Sequence, residues 1–269
     1  MEQHSATWAT VIEPELGARL SSLRDPAGRE WLWRNPDTAL TAARERVRPG
    51  DPFVDAGGWE ECFPTIAGGS DHGEVWSRPW TDHDGTLSIA TAQYSLQRAI
   101  EAAGPHLMTR YRLRAEPGLR FIWAAHLTLD LSPQARLVAP AGTRCRLWPE
   151  HWRARNVVSV DGLWPAPLGA PLDSLSPDGS ALFFMLLDPE SLTVADGQEV
   201  TFHLDAPGQP TAIAVWRNLG AWPPGAPYRS IGIEPAIGHH YDRDLAAPAD
   251  LGSVGPSGAV EWTLRIGIG

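Results

Sequence analysis

Three side chains far apart in the chain have types and settings suited to proton transfer. Glu234 closes the run IGIE on the opposite alternation phase from Ile231 and Ile233, and Pro235 is expected to end that strand. A carboxylate among apolar neighbours loses hydration, which raises its pKa and makes it a better base near neutral pH. His126, in FIWAAHLTLDL, is mid-strand among apolar residues, so it either is a buried, hydrogen-bonded histidine or lines a concavity. His72 lies in the stretch DHGEVWSRPW, Asp71 to Trp80, where Asp71 can orient its ring and Gly73 lets the backbone come close to a ligand.

The same stretch holds Trp76 and Trp80, in a chain with 13 tryptophans among 269 residues. A tryptophan ring presents a broad apolar face and one N–H, which suits the C–H faces and hydroxyl rim of a pyranose. Trp59, Trp76, Trp80, Trp164 and Trp222 stand beside turns, where burial of all five is not expected, although core filling is the alternative for each. Other groupings carry less. Glu60 and Glu61 are paired carboxylates, but adjacent strand residues face opposite sides and do not flank one bond. His239 and His240 are consecutive and poorly placed to chelate one ion, and Cys62 and Cys145 lack CxxC spacing, so no metal is expected. Both cysteines read as core fillers.

The elements that must carry these residues are strands. Turn formers, 26 Gly and 25 Pro, punctuate short apolar runs at strand-like intervals, which predicts an all-β chain. In LRFIWAAHLTLDL the alternation puts Leu119, Phe121, Trp123, Ala125, Leu127, Leu129 and Leu131 on one face and His126 on the other. VTFHLDA (200–206) and VEWTLRIGI (260–268) alternate likewise, while ALFFMLL (181–187) is a continuous apolar run expected to be covered on both faces. ELGARLSSL and WLWR read as two strands joined at Asp25–Gly28, and the principal helical segment is expected around Thr38 to Val47. Residues 1–269 show no composition break and read as a single domain.

Charge narrows the functions. The net charge is -10 and all 22 basic residues are arginine, so nucleic-acid binding is not expected, and lysine Schiff-base chemistry is excluded. The start MEQHSATWATVIEP has neither a basic n-region nor an apolar run, and no stretch is long enough for a membrane span, so a cytoplasmic protein is expected.

Taken in order, GARLSSLRDPAGREWLW, GGWEECFPT, DHGEVWSRPW, WAAHLTLDL and IGIEPAIG resemble the aldose 1-epimerase (galactose mutarotase-like) family over almost the whole chain. The resemblance implies a large antiparallel β-sandwich with its site on a concave face, no cofactor, and interconversion of the anomers of a free aldose or related sugar. It implies Glu234 as the general base, His126 as the general acid and His72 as a polarising hydrogen-bond partner. The candidate sugar contacts are Glu60, Trp76, Arg78, Trp216 and Asn218, with Trp76 facing the ligand and Trp80 packing the loop. The chain also departs from the family pattern. Trp76 stands where many relatives have an arginine four residues after the loop histidine, with Arg78 two further on, and the family's substrate-binding aspartate has only loose matches in Asp161 and Asp173. Arg44, Arg46 and Arg48 offer a basic pocket for a phosphosugar but read more simply as a solvated polar stretch. These departures keep a second reading in play, a non-catalytic carbohydrate-binding protein on the same scaffold.

Overall fold

The alternating runs resolve into antiparallel sheets in a computed structural model that describes residues 7–148 and 158–269. A nine-stranded sheet has the order Ala9–Glu13, Arg19–Arg24, Gly58–Cys62, Trp123–Leu129, Tyr228–Ile237, Thr211–Trp222, Ala181–Leu187, Arg144–Trp148 and Val160–Leu163. An eight-stranded sheet has the order Arg136–Val138, Leu192–Ala195, Glu199–Asp205, Ala259–Ile268, His106–Ala115, Tyr94–Ala103, Thr86–Ala90 and Thr81–His83. This is the expected large antiparallel β-sandwich.

Alternation explains the layering. Trp123, Ala125, Leu127 and Leu129 enter the main core with Trp262, Leu264 and Ile266 of the eight-stranded sheet. Ile122 and Ala124, on the opposite phase, join a second apolar cluster with Cys62, Phe183, Met185 and Tyr241. ALFFMLL is covered on both faces as expected: Leu182, Phe184 and Leu186 belong to the main core, and Phe183, Met185 and Leu187 to the second cluster. Cys62 and Cys145 are free and buried.

Glu60 and Glu61 do face opposite sides. Glu61 enters the main core, where its carboxylate accepts hydrogen bonds from Arg98 Nη1 (2.7 Å), Tyr111 Oη (2.9 Å) and Trp123 Nε1 (2.9 Å). Burial pushes its pKa up and Arg98 opposes the shift. A charge this deep is tolerated only because both oxygens are bonded.

Three local expectations change. The helix is shorter than the Thr38–Val47 segment: α1 spans Thr38–Arg44, with Asp37 Oδ1 accepting from the Ala39 N–H at its N-terminus. WLWR makes only isolated bridges, Leu32 to Leu129 and Arg34 to Gly57, rather than a strand, and Glu30 just before it bridges Arg24. Pro235 does not end its strand, which runs on to Ile237. Pairing with Thr211–Trp222 is continuous there, Pro235 opposing Ile213, whereas the ladder to Trp123–Leu129 skips Glu234 and Pro235. A proline has no N–H to donate, and the gap falls on the side where a donor is missing. Among the described residues no helix is long and apolar enough to cross a membrane.

Candidate active site

Register brings two of the three candidate proton-transfer residues together. Ile233 opposes Leu127 and Ala236 opposes Ala124, so Glu234 stands across from His126 where the ladder is interrupted. Both side chains leave the sheet on the face away from the main core. His126 Nε2 lies 3.6 Å from Glu234 Oε1, and both residues are buried. Gly232, two residues before Glu234 on the same face, makes room for the carboxylate: a Cβ there would meet Glu234 Oε1 at 2.9 Å and Trp216 Cβ at 3.1 Å.

The third residue arrives on a loop. The His72 N–H donates to the Ile66 carbonyl (2.6 Å) and the Glu74 N–H to the Phe63 carbonyl (2.9 Å), which curl Ile66 to Glu74 back on themselves. Gly73 serves this curl rather than a ligand, since a Cβ on it would lie 2.2 Å from the Phe63 oxygen. His72 itself adopts φ +62°, a left-handed conformation that costs a non-glycine residue energy. Its Nδ1 sits 3.1 Å from Asp71 Oδ1, the orienting contact expected from the sequence. The ring stacks on Phe53 (centroids 3.5 Å, interplanar angle 9°) and meets His126 edge-on at 5.0 Å.

These residues line a cavity of about 440 Å³. His72, His126 and Glu234 occupy one part of its wall; Trp216, Phe183, Tyr241 and Ile66 form another, and Leu40, Phe53 and Asp55 come from α1 and the loop after it. Tyr228 Oη donates to Asp55 Oδ2 (2.8 Å) at the rim. Among the described residues, His126 Nδ1 and Glu234 Oε2 are buried without a hydrogen-bond partner. Burial pushes the Glu234 pKa above its ordinary value, and the neighbouring His126 partly opposes this. The arrangement sets a buried carboxylate, its pKa raised, beside an imidazole, a type of group that can give or take a proton.

Of the candidate sugar contacts, Trp216 lines the cavity and four do not. Glu60 is in register with His126 on its other side, but its carboxylate is taken up by Arg44 Nε (2.7 Å) and Nη2 (2.8 Å) and by Arg19 Nε (3.1 Å). Arg44 is therefore a buried ion-pair residue at the end of α1, not part of a solvated stretch. Trp76 is 1% exposed and does not face the ligand space; it packs edge-on behind Phe53 (5.0 Å), with the Arg44 guanidinium 5.1 Å from its ring. Arg78 turns away to Glu74 Oε2 (3.0 Å). Asn218 is fully buried and clamps the hairpin beside the cavity: its Nδ2 donates to the Trp222 (3.0 Å) and Tyr228 (2.8 Å) carbonyls and its Oδ1 accepts from three backbone N–H groups.

The turn tryptophans are mostly core. Trp59, Trp76, Trp80 and Trp164 are buried, and of the five only Trp222 reaches the cavity. Trp80 packs as expected, its Nε1 donating to the Val75 carbonyl (3.1 Å). The loose aspartate matches lie elsewhere, Asp161 on Arg146 and Asp173 on Arg136. His239 hydrogen-bonds Asp188 (3.0 Å), while the ring of His240 packs on Trp148 and Tyr241. Phe53, Asp55, Tyr228 and Tyr241 are cavity residues that the sequence did not single out. DPFVD has no periodicity to mark it, and the other two tyrosines look like ordinary strand and turn aromatics.

The layered antiparallel sheets form a β-sandwich that solved structures share. The chain is similar to a galactose mutarotase-like protein from Lactobacillus casei ATCC 334, with a TM-score of 0.71 at 17% identity over 98% of each chain. It is similar to a galactose mutarotase related enzyme from Lactobacillus acidophilus, with a TM-score of 0.66 at 13% identity over 98% of this chain and 95% of that one. A third likeness is to the Slr1438 protein of Synechocystis sp. PCC 6803, with a TM-score of 0.70 at 13% identity over 100% of this chain and 93% of that one. At these identities the likeness establishes the fold. No family model matches the chain, and no curated protein matches its sequence.

Proposed function

We propose that the protein is an isomerase of the aldose 1-epimerase type, interconverting the α and β anomers of a free sugar. The observation that carries this reading is the cavity-lining pair His126 and Glu234, 3.6 Å apart, each with a buried polar atom that has no partner among the described residues. The anomeric and ring oxygens share one carbon, so a base for one and an acid for the other must stand close together.

Glu234, ionised, takes the proton of the anomeric hydroxyl. The C1–O5 bond breaks as C1=O1 forms, and protonated His126 delivers its proton to O5. Rotation about C1–C2 presents the other carbonyl face, and the reverse transfers close the ring to the opposite anomer. His72 hydrogen-bonds the same region, its ring set by Asp71 and Phe53. The cycle is balanced in protons and consumes no co-reactant. Positioned acids and bases each contribute roughly 10²- to 10⁴-fold. The test is the exchange between anomers of a panel of free sugars, followed by magnetisation-transfer NMR with and without protein. Acceleration above the spontaneous rate is expected; binding with no acceleration of any sugar would leave a carbohydrate-binding protein instead.

A further inference from the structure

His72 reaches the cavity at a cost. Its φ of +62° is a conformation that persists in a non-glycine residue only where the surroundings over-determine it. The backbone is held by the His72 N–H on the Ile66 carbonyl (2.6 Å) and the Gly73 N–H on the Ser70 carbonyl (2.9 Å). The ring is held at two places. Asp71 Oδ1 meets its Nδ1 at 3.1 Å, and Phe53 lies on its face with centroids 3.5 Å apart and an interplanar angle of 9°. One contact at Nδ1 does not fix the plane of an imidazole, because the outer torsion of histidine is broad; a face stacked on a second ring does.

Phe53 is itself braced. Behind it the buried Trp76 ring stands edge-on (5.0 Å, 69°), and Trp76 is tied to α1 through its carbonyl, which accepts from Arg44 Nη2 (3.0 Å). Two residues further along, Asp55 is pinned twice: Asn35 Nδ2 donates to its carbonyl (2.8 Å) and Tyr228 Oη to its Oδ2 (2.8 Å). Residues 51–56 belong to no helix or strand, so these contacts, not a ladder, place the phenyl ring. Phe53 also meets His126 edge-on at 5.7 Å, so one ring touches both histidines of the cavity wall.

We propose that Phe53 is a positioning residue that acts through His72: its face sets the imidazole plane, Asp71 takes Nδ1, and Nε2 is thereby presented to the sugar held at His126 and Glu234. This deepens the isomerase reading of the site and rests on it. A hydrophobic cover would need only bulk at position 53, whereas this role needs a flat ring.

The test compares Phe53→Leu, which keeps an apolar side chain but no plane, with Phe53→Tyr, which keeps the plane, both in the full chain. Anomer exchange by NMR should show kcat lowered by about 10- to 100-fold in the leucine variant, the scale of a small misplacement at a reacting centre, with KM nearly unchanged. The tyrosine variant should recover most of the rate. In a His72→Asn background, Phe53→Leu should cost little more, because the ring it positions is gone. The imidazole C–H signals that His72→Asn removes should lie upfield in the wild type, from the phenyl ring current, and move downfield in the leucine variant. Wild-type kcat with leucine, tyrosine no better than leucine, losses that multiply in the double variant, or imidazole signals indifferent to leucine would each overturn the proposal and leave the isomerase standing. A leucine variant that fails to fold in thermal melts would do the same, by marking Phe53 as structural. Exchange absent from the wild type removes the isomerase reading and this one with it.

Discussion

Replacing Glu234 with glutamine separates what the carboxylate does for the reaction from what it costs the fold. The amide keeps the volume beside Gly232 and Trp216 but cannot accept the anomeric proton. Asp55 and Asp71 also line the cavity, yet one accepts from Tyr228 and the other is held by His72, so neither stands opposite His126 as a replacement base. The rate should fall by about 10²- to 10⁴-fold, equivalent to roughly 3 to 5 kcal/mol of barrier, with sugar affinity nearly unchanged. Stability should move the other way. Burial raises the Glu234 pKa, so the folded protein holds this proton more tightly than the unfolded chain does. Stability is therefore greatest below the unfolded value and declines as pH rises through the folded one. The glutamine variant escapes that decline, so its melting temperature should exceed the wild type's near neutral pH and the difference should vanish in acid. For the wild type, the acidic limb of the rate profile should lie above the ordinary carboxylate range. Anomer-exchange NMR and calorimetric melts at several pH values read all three effects. Wild-type exchange rates in the variant would refute the base assignment, and a variant less stable at neutral pH would refute the account of Glu234 as a poorly compensated buried charge.

His126→Asn should lose rate on a similar scale and lose its edge contacts with Phe53 and His72, about 0.5 to 1.5 kcal/mol each, together with its contact to Glu234; a drop in chemical denaturation that persists when Glu234 is also glutamine and exceeds the two edge contacts would mark a structural histidine. Trp76→Ala should destabilise the fold by about 3 to 5 kcal/mol, as should Trp80→Ala, because both rings are buried. A Trp76→Ala protein with wild-type stability and weaker sugar binding would return that ring to the ligand. Arg44→Met should cost about 3 to 5 kcal/mol in urea unfolding, since it leaves buried Glu60 with Arg19 alone; a neutral result would show that Arg19 suffices.

The sandwich was legible because it rests on period-two burial, and that signal is local: the phase that put His126 off the main core is the phase on which it reaches the cavity. The order of five motifs carried the three candidate residues His72, His126 and Glu234, which the structure places on one cavity. Which residues line the cavity was harder to read because that depends on register and on ion pairs that span the chain. Nothing near Glu60 in sequence announces Arg44, 16 residues away at the end of a helix, and without that partner a buried glutamate beside the site looks like a ligand. Trp76 was misread for a related reason. A tryptophan beside a turn is exposed only if nothing crosses it, and Phe53 does. Pro235 shows the limit of local rules: it breaks one ladder while the neighbouring strand holds the other.

One row across the sheet explains why Glu234, and not Glu60, suits the role of base. The two glutamates flank His126 in register, and each is 2% exposed. Residue type and burial therefore do not distinguish them. Their partners do. Glu60 meets two guanidiniums, which hold its oxygens in place. Glu234 meets only the imidazole of His126, a group that can itself release a proton, and keeps one oxygen without a partner among the described residues. A buried carboxylate whose charge is barely compensated has its pKa raised and gains a proton more readily, as burial does to Glu234. The arginines on one side of the row thus anchor the sheet beneath α1, whereas among the described residues no arginine pairs with the carboxylate on the other side, which is the condition the proposed base requires.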